Sequence, residues 1–397
     1  MIIEKYKFQK NIFFIFITLL FTLNSIVIYA IDIKNILPIH INYILIGSIF
    51  FLFFIIKNKI HLTMDRYYLS IVVVWLYNII SIFYTTDFIF GIKALIILSI
   101  IVYSFFFLFK PLYNEKNIQL LIIIIAIINI IYLLLQFINI ENNYNHNGLI
   151  FVGMEGNRHN LSLHVAFSIM ILFNLFYHIS SYIIKFLSII FIFFSFYILF
   201  LSFGRAGILI LFIYFFIILI SFLNSVKLLY KYIFIVFLTI VIVSVMYFYL
   251  QVENNLISWS LERGLTGRDI IQNKLLNLLN SNPISWFTGF GIGSIDGYVL
   301  SAFPNKVGMS IKDAGNVYSL LIQYGTIGLV LYGTFIIYYI KSLFIIFKNK
   351  YKYRYFLLIP LPFLFLPSDS LLIGYSHIIT IMMYLIISIC FKVKNNV

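Results

Sequence analysis

Apolar residues in this chain come in blocks, not in alternation. Ile96 to Phe109 is interrupted only by Ser99 and Ser104. A membrane barrel alternates along every strand, so the block pattern predicts helices. A run of roughly 17 to 25 apolar residues crosses about 30 Å of hydrocarbon as a helix. Twelve such runs can be read: near 11–31, 38–56, 68–86, 88–109, 118–140, 161–178, 186–203, 206–223, 232–250, 317–340, 356–373 and 375–391. Very short turns at Asp87, Gly204 and Gly374 separate three of the pairs. Lys5, Lys7 and Lys10 precede the first run, and Ile28-Tyr29-Ala30 loosely resembles a leader cleavage site. About twenty apolar residues are too many for a leader core, so an uncleaved first span is expected.

Composition agrees with the pattern. Of 397 residues, 63% are hydrophobic and 10% charged, with 45 Phe and 30 Tyr, and the mean hydropathy is +1.06. One soluble core could not bury that much apolar surface, so most of it is expected to face lipid. The expected fold class is an all-α polytopic membrane protein: one integral membrane domain over residues 1–397, about 12 transmembrane helices, and one long external loop containing an amphipathic helix.

Charge then sets the orientation. With the N-terminus inside, the inner segments carry 18 of the 27 Lys and Arg and only three acids, Glu4, Asp65 and Glu115. That bias predicts both termini in the cytoplasm. It also turns the formal charge of +14 into a topology signal, so no nucleic-acid partner is expected. Spans this closely spaced leave two loops with room for chemistry, 251–316 and 141–160, both external by the same reading. The bilayer itself is the first expected partner.

Within the long loop, Thr266-Gly267-Arg268-Asp269 opens a predicted helix running to about Asn280, with Thr266 as cap and Pro283 beyond the end. Ile271, Leu275, Leu278 and Leu279 form its apolar stripe, which suits a helix lying at the membrane surface. Arg268 falls in the first turn, where free N–H groups and the helix dipole favour an anion. Four arginines, Arg158, Arg205, Arg263 and Arg268, stand outside against the positive-inside bias. A planar guanidinium suits phosphate, and the alternative is that each snorkels or pairs with an acid such as Glu262 or Asp269.

Other motifs exclude more than they suggest. Gly289-Phe290-Gly291-Ile292-Gly293 has the look of a dinucleotide loop, but no strand precedes it, so a tight re-entry turn is expected. His159 and His164 do not have zinc-protease spacing, and no metal site is expected. The single cysteine, Cys390, excludes disulfide and thiolate-metal chemistry. No DxD pair occurs, which argues against a metal-dependent, nucleotide-sugar glycosyltransferase.

Three segments, in order, resemble the bacterial family of O-antigen ligases and Wzy-type oligosaccharide repeat-unit polymerases. The first is Gly153-Met154-Glu155-Gly156-Asn157-Arg158-His159-Asn160, ahead of a span. The second is Ser202-Phe203-Gly204-Arg205-Ala206-Gly207, a turn between adjacent spans. The third is the long loop with Thr266-Gly267-Arg268, Trp286 to Gly293, and Gly315-Asn316-Val317-Tyr318 onward to Leu329. The resemblance covers roughly residues 150–335. Ligases of this family are expected to have a histidine immediately before the asparagine of the last motif. Here that position is Gly315, which favours the polymerase.

The resemblance implies a place in the bacterial cytoplasmic (inner) membrane and two undecaprenyl-pyrophosphate-linked oligosaccharides as substrates, one donating its glycan at C1 and the other offering a hydroxyl. A flippase and a chain-length regulator are the protein partners it implies, and no cofactor. Leaving-group charge would fall to Arg205 and Arg268. Asp313 is the expected base, with Glu155, His159 and Asp296 as rivals. Arg158, His159, Asn160, Asn316 and Tyr318 would bind substrate. Two other classes stand beside the polymerase and ligase. A flippase or small-molecule transporter would need ionisable residues within its spans, and here these are chiefly His164 and Asp369. A structural assembly partner gives no reason for external arginines.

Overall fold

A computed structural model describes residues 65–138, 144–145, 150–151, 158–202, 204–223, 266–295, 316–364 and 378–395, with isolated positions 11, 14, 15 and 18. The expected spans near 11–31, 38–56 and 232–250 therefore lie largely or wholly outside the described residues. Helix α1 (Arg66–Ser81) starts where the Asp65 carboxylate accepts the N–H groups of Tyr67 and Tyr68 at 3.1 and 3.0 Å, and ends in a tight turn over Ile82–Tyr84. Helix α2 (Phe88–Ile101) is capped by Asp87 and widens into a π-helical stretch over Val102–Leu108. Next come α3 (Glu115–Ile138), a two-residue ladder of β1 (Tyr144–Asn145) and β2 (Ile150–Phe151), α4 (Arg158–His178), α5 (Tyr182–Ser202) and α6 (Arg205–Leu223). The rest of the described chain is α7 (Thr266–Asn280), α8 (Ser285–Thr288), α9 (Asn316–Lys348), α10 (Arg354–Leu358), α11 (Pro360–Leu364) and α12 (Ile378–Val393).

The described architecture is thus helical apart from one ladder. Among the described residues, seven helices are long and apolar enough to cross a membrane. Two further apolar helices, Arg354–Leu364 and Ile379–Val393, are shorter. Helix α4 is the central one, with 78% of its span buried, whereas α5 and α6 are each only 22% buried. Its polar positions face neighbouring helices. The Ser168 hydroxyl donates to Asn129 Oδ1 on α3 at 2.6 Å, and His164 Nδ1 lies 3.4 Å from the Tyr132 hydroxyl. The Asn174 amide donates to the Tyr214 hydroxyl on α6 at 2.8 Å. Such bonds hold helices together where hydrocarbon supplies no hydrophobic drive between them.

Helix α9 is not one rod. At Gly325 its backbone takes φ 63 and ψ −164, a region open in practice only to glycine. A break there frees carbonyl groups, and unsatisfied backbone in hydrocarbon costs several kcal/mol each. All three are met by neighbours. Ile322 O accepts from Phe290 N and Gln323 O from Gly291 N, both at 2.8 Å, and Tyr324 O accepts from the Tyr77 hydroxyl at 2.9 Å.

The Gly289 to Gly293 stretch is a tight turn, as expected from the sequence, and its partner is the break in α9. Gly289, Gly291 and Gly293 all have positive φ, at 67, 87 and 79°. The turn is tied to the end of α1 as well. Thr85 Oγ1 donates to Ile292 O at 2.8 Å and Thr86 N to Phe290 O at 3.0 Å, while Gly293 N donates to Gln323 Oε1 at 2.9 Å. Below it a buried polar cluster joins α1 to α9. The Tyr324 hydroxyl donates to Asn78 Oδ1 at 2.6 Å, and Asn78 Nδ2 donates to the Tyr332 hydroxyl at 3.1 Å.

The connectors sort into two sets by contact. In one set, the carboxylate of Asp65 meets Lys394 at 3.4 Å and accepts from Asn395 Nδ2 at 2.8 Å, with Lys110 over the Tyr68 ring and Lys394 over the Tyr67 ring. Close by along the chain, the Tyr353 hydroxyl reaches Gln119 Oε1 and His178 packs on the Tyr353 ring. In the other set stand two separate contacts, the turn after α1 on the 290–293 loop and Gly204 on Ser162 near the start of α4. The charge-based topology assigns these same sets to opposite sides of the membrane.

Candidate functional site

Part of the second motif quoted from the sequence packs against the helix that the first one opens. Gly204 and Gly207 pack directly on Ser162, one turn into α4. A Cβ on Gly204 would overlap the Ser162 side chain, and a Cβ on Gly207 would overlap the Ser162 backbone carbonyl. Ser162 is itself buried and donates its hydroxyl to His159 O at 2.8 Å. Small residues permit this close approach. Its consequence is that the N-terminal ends of α4 and α6, with Arg158, His159 and Asn160 on one and Arg205 on the other, open at the same end of the bundle. Ser162 was not singled out from the sequence, and its only signal there is a serine facing a Gly-x-x-Gly pair on a distant span.

Arg205 is the first residue of α6. The sequence placed it in a tight apolar turn, where a charge would be costly unless paired. It is instead exposed, and among the described residues it makes no hydrogen bond or ion pair. Exposure to solvent lets the charge stand without an acidic partner, and the first turn of α6 adds N–H groups that have no intrahelical acceptor. His159 and Asn160 are half-buried. Arg158 starts α4.

Arg268 lies in the first turn of α7, whose bounds Thr266–Asn280 match the expected helix. Thr266 is already inside the helix, one position later in role than a cap. The apolar stripe is present. Leu275 and Leu279 are fully buried, with Leu276 and Leu278 packed against the core. Asn280 Oδ1 accepts from Trp286 Nε1 at 3.1 Å, which fixes the end of α7 to α8. Through α8 and Gly289, α7 is thus fastened to the break in α9.

Asn316 opens α9 and is buried. Its amide donates to Phe363 O and Leu364 O, each at 3.4 Å, which joins the start of α9 to α11. That is a structural duty beyond the substrate contact expected for it. Tyr318 is half-buried against the core. Asp313, Glu155, Asp296, Arg263 and Gly315 lie outside the described residues, as does Asp369. Among the described residues, no cluster of three or more His, Cys, Asp or Glu could hold a metal ion. His164 is buried within α4 against Tyr132, at a ring separation of 5.5 Å.

Chemically, this end of the bundle offers cationic and N–H donors, with no acid in contact with Arg205 among the described residues. That is an arrangement for an anion. Comparison with protein-family models, with curated proteins and with solved structures returns no match to this chain.

Proposed function

We propose that the protein polymerises undecaprenyl-pyrophosphate-linked oligosaccharide repeat units, for an O-antigen, capsule or exopolysaccharide, on the outer face of the bacterial cytoplasmic membrane. The observation that carries this reading is the convergence of the α4 and α6 N-termini through Ser162, Gly204 and Gly207, with Arg205 exposed at their shared end and unpaired among the described residues. The full topology proposed is twelve spans with both termini cytoplasmic and residues 141–160 and 251–316 outside. A flippase and a chain-length regulator are the partners proposed, with no cofactor.

In the proposed reaction the donor's C1–O bond to pyrophosphate breaks while the acceptor hydroxyl oxygen bonds to C1. Negative charge collects on the departing pyrophosphate, where Arg205 and Arg268 stabilise it. The acceptor proton goes to a carboxylate, for which Asp313 is proposed. Gly315, in the place of the ligase histidine, favours polymerase over ligase. A deletion strain tests this. Single-repeat glycans still attached to the final acceptor are expected, and loss of attachment with long lipid-linked polymer intact would point to the ligase.

A further inference from the structure

The connector between α9 and α10 alternates two chemistries. Lys348, Lys350, Lys352 and Arg354 take the even positions, and Tyr351, Tyr353 and Tyr355 take odd ones. Residues 341–355 hold five basic residues and no acid. The turn itself is fixed. Lys350 has φ 52, a left-handed angle, and the N–H groups of Lys350 and Tyr351 donate back to Phe347 O and Ile346 O, each at 3.1 Å. These paired bonds close the end of α9. Tyr353 and Tyr355 are buried beneath the turn, and Lys348, Lys350 and Lys352 are exposed.

His178, the last residue of α4, packs on the same turn. Its ring lies 4.7 Å from the Tyr353 ring, and Lys352 Nζ lies 5.2 Å from that ring's centroid. Lys352 and Arg354 both stand near enough to repel a charge on the imidazole. Neither ring nitrogen of His178 has a hydrogen-bond partner among the described residues, and Nε2 is buried. Arg354 donates to Lys350 O, Tyr351 O and the Tyr355 hydroxyl, which leaves its Nε–H over. Lys185, over the Phe176 ring at 5.8 Å, adds a cation at this end. Glu115 is the acid that reaches the region. It acts on Tyr351 and Tyr353, is exposed, and makes no ion pair among the described residues.

An imidazole, an ammonium and a guanidinium edge are thus gathered without an acceptor. An anion supplies what all three lack. Topology asks only for positive charge in the connector. It does not ask for a histidine packed on the turn, or for cations seated on tyrosine rings at the end of a span.

We propose that His178, Lys352 and Arg354 form a binding site for a phosphate group at this end of the bundle, which the charge-based topology assigns to the cytoplasm. At the end of a span the source at hand is the headgroup of an acidic phospholipid, and a soluble phosphate compound offers the same chemistry. The site goes beyond the polymerase reading and does not rest on it, since His178 and Arg158 are opposite ends of α4.

The test titrates the full-length protein in detergent with phosphatidylglycerol, phosphatidylcholine or inorganic phosphate and counts bound molecules by native mass spectrometry. Wild type is expected to bind its first phosphatidylglycerol more tightly than phosphatidylcholine and to lose it to inorganic phosphate. His178→Phe keeps a ring against Tyr353, and Lys352→Ala changes an exposed side chain, so both should unfold at the wild-type temperature. Each should weaken the first phosphatidylglycerol about tenfold, the loss of a charge-assisted contact. Lys348→Ala, on the same connector, should change nothing. Inorganic phosphate bound with this variant pattern, and no preference for phosphatidylglycerol, would keep the site and make its ligand soluble. Equal weakening by Lys348→Ala, wild-type binding by Lys352→Ala, or no binding of either ligand would leave only diffuse attraction to a basic connector and overturn the proposal.

Discussion

Gly289 and Gly325 lie backbone against backbone, each filling the space that the other's side chain would need. A Cβ on Gly289 would overlap Gln323 and Tyr324, and a Cβ on Gly325 would overlap Phe287 and Thr288. Both adopt nearly the same backbone conformation, φ 67 and ψ −161 against φ 63 and ψ −164. This reciprocal contact is what lets the 289–293 turn satisfy the carbonyls freed by the break in α9.

Alanine at either position should therefore be severe. Conformational strain alone is about 1–3 kcal/mol, and the overlap adds to it. Thermal unfolding in detergent should show a marked loss for Gly289→Ala and for Gly325→Ala. Gly333→Ala, on the same helix with open space around it, should be neutral or stabilising by about 0.5–1 kcal/mol. Equal stability across the three variants would contradict the clasp.

Much of the helical frame was legible as apolar runs, because lipid demands them. The runs read at 68–86 and 88–109 correspond to helices over Arg66–Tyr84 and Phe88–Leu108. The break at Gly325 was not legible, since hydropathy does not register a backbone angle. The glycine-rich turn was read as a turn, but its partner stands about 30 residues away and only tertiary contact reveals it. Asn78, Tyr324 and Tyr332 were also missed as a cluster, although a polar Asn within an apolar run hinted at an interhelical bond. At the site, the arginines were visible as basic residues that the charge-based topology expects outside. The closeness of Gly204 to Ser162 was not, because it depends on how α4, α5 and α6 pack.

The Asn78 cluster predicts an asymmetric response. Tyr324→Phe leaves Asn78 Oδ1 buried without its donor, which should cost about 1–3 kcal/mol. The double change Tyr324→Phe with Asn78→Leu removes both halves and should recover part of that loss. A double-mutant cycle on unfolding midpoints checks the coupling, and strict additivity would contradict it.

At the opposite end of the bundle, burial lowers the Lys394 ammonium to about 8, opposed by the nearby Asp65 carboxylate. Burial works to raise Asp65, but hydrogen bonds from Asn395 and the Tyr68 N–H, with the Lys394 charge, bring it below the usual carboxylate value. The signs follow from proton linkage. Lys394 releases its proton more readily folded than unfolded, so between about pH 8 and the ordinary lysine range stability should rise with pH. Asp65 stabilises above its unfolded value, and that contribution is lost as pH falls through its folded value. Unfolding midpoints across pH 3–10 should fall at the acid end in wild type. The alkaline rise should vanish in Lys394→Met, and its persistence there would assign it to another group.

Gly207→Ala tests the junction that brings α4 and α6 together. The added methyl meets the Ser162 carbonyl, so polymer should be lost or greatly shortened at matched membrane levels. Normal polymer from this variant would mean that the junction does not set the site.

The most direct test of the central claim is glycan length on a gel from cells expressing Arg205→Ala, Arg205→Lys, Arg268→Ala and Arg263→Ala at matched membrane levels, with and without a metal chelator. Removing a charge-assisted partner of a transition-state pyrophosphate costs about 3 kcal/mol, roughly a hundredfold in rate. Arg205→Ala and Arg268→Ala should therefore stop at single repeats. Arg205→Lys should retain little activity because it keeps the charge and loses the planar fork. Arg263→Ala should polymerise nearly normally, and the chelator should change nothing. Wild-type polymer from both Arg205→Ala and Arg268→Ala would contradict the account.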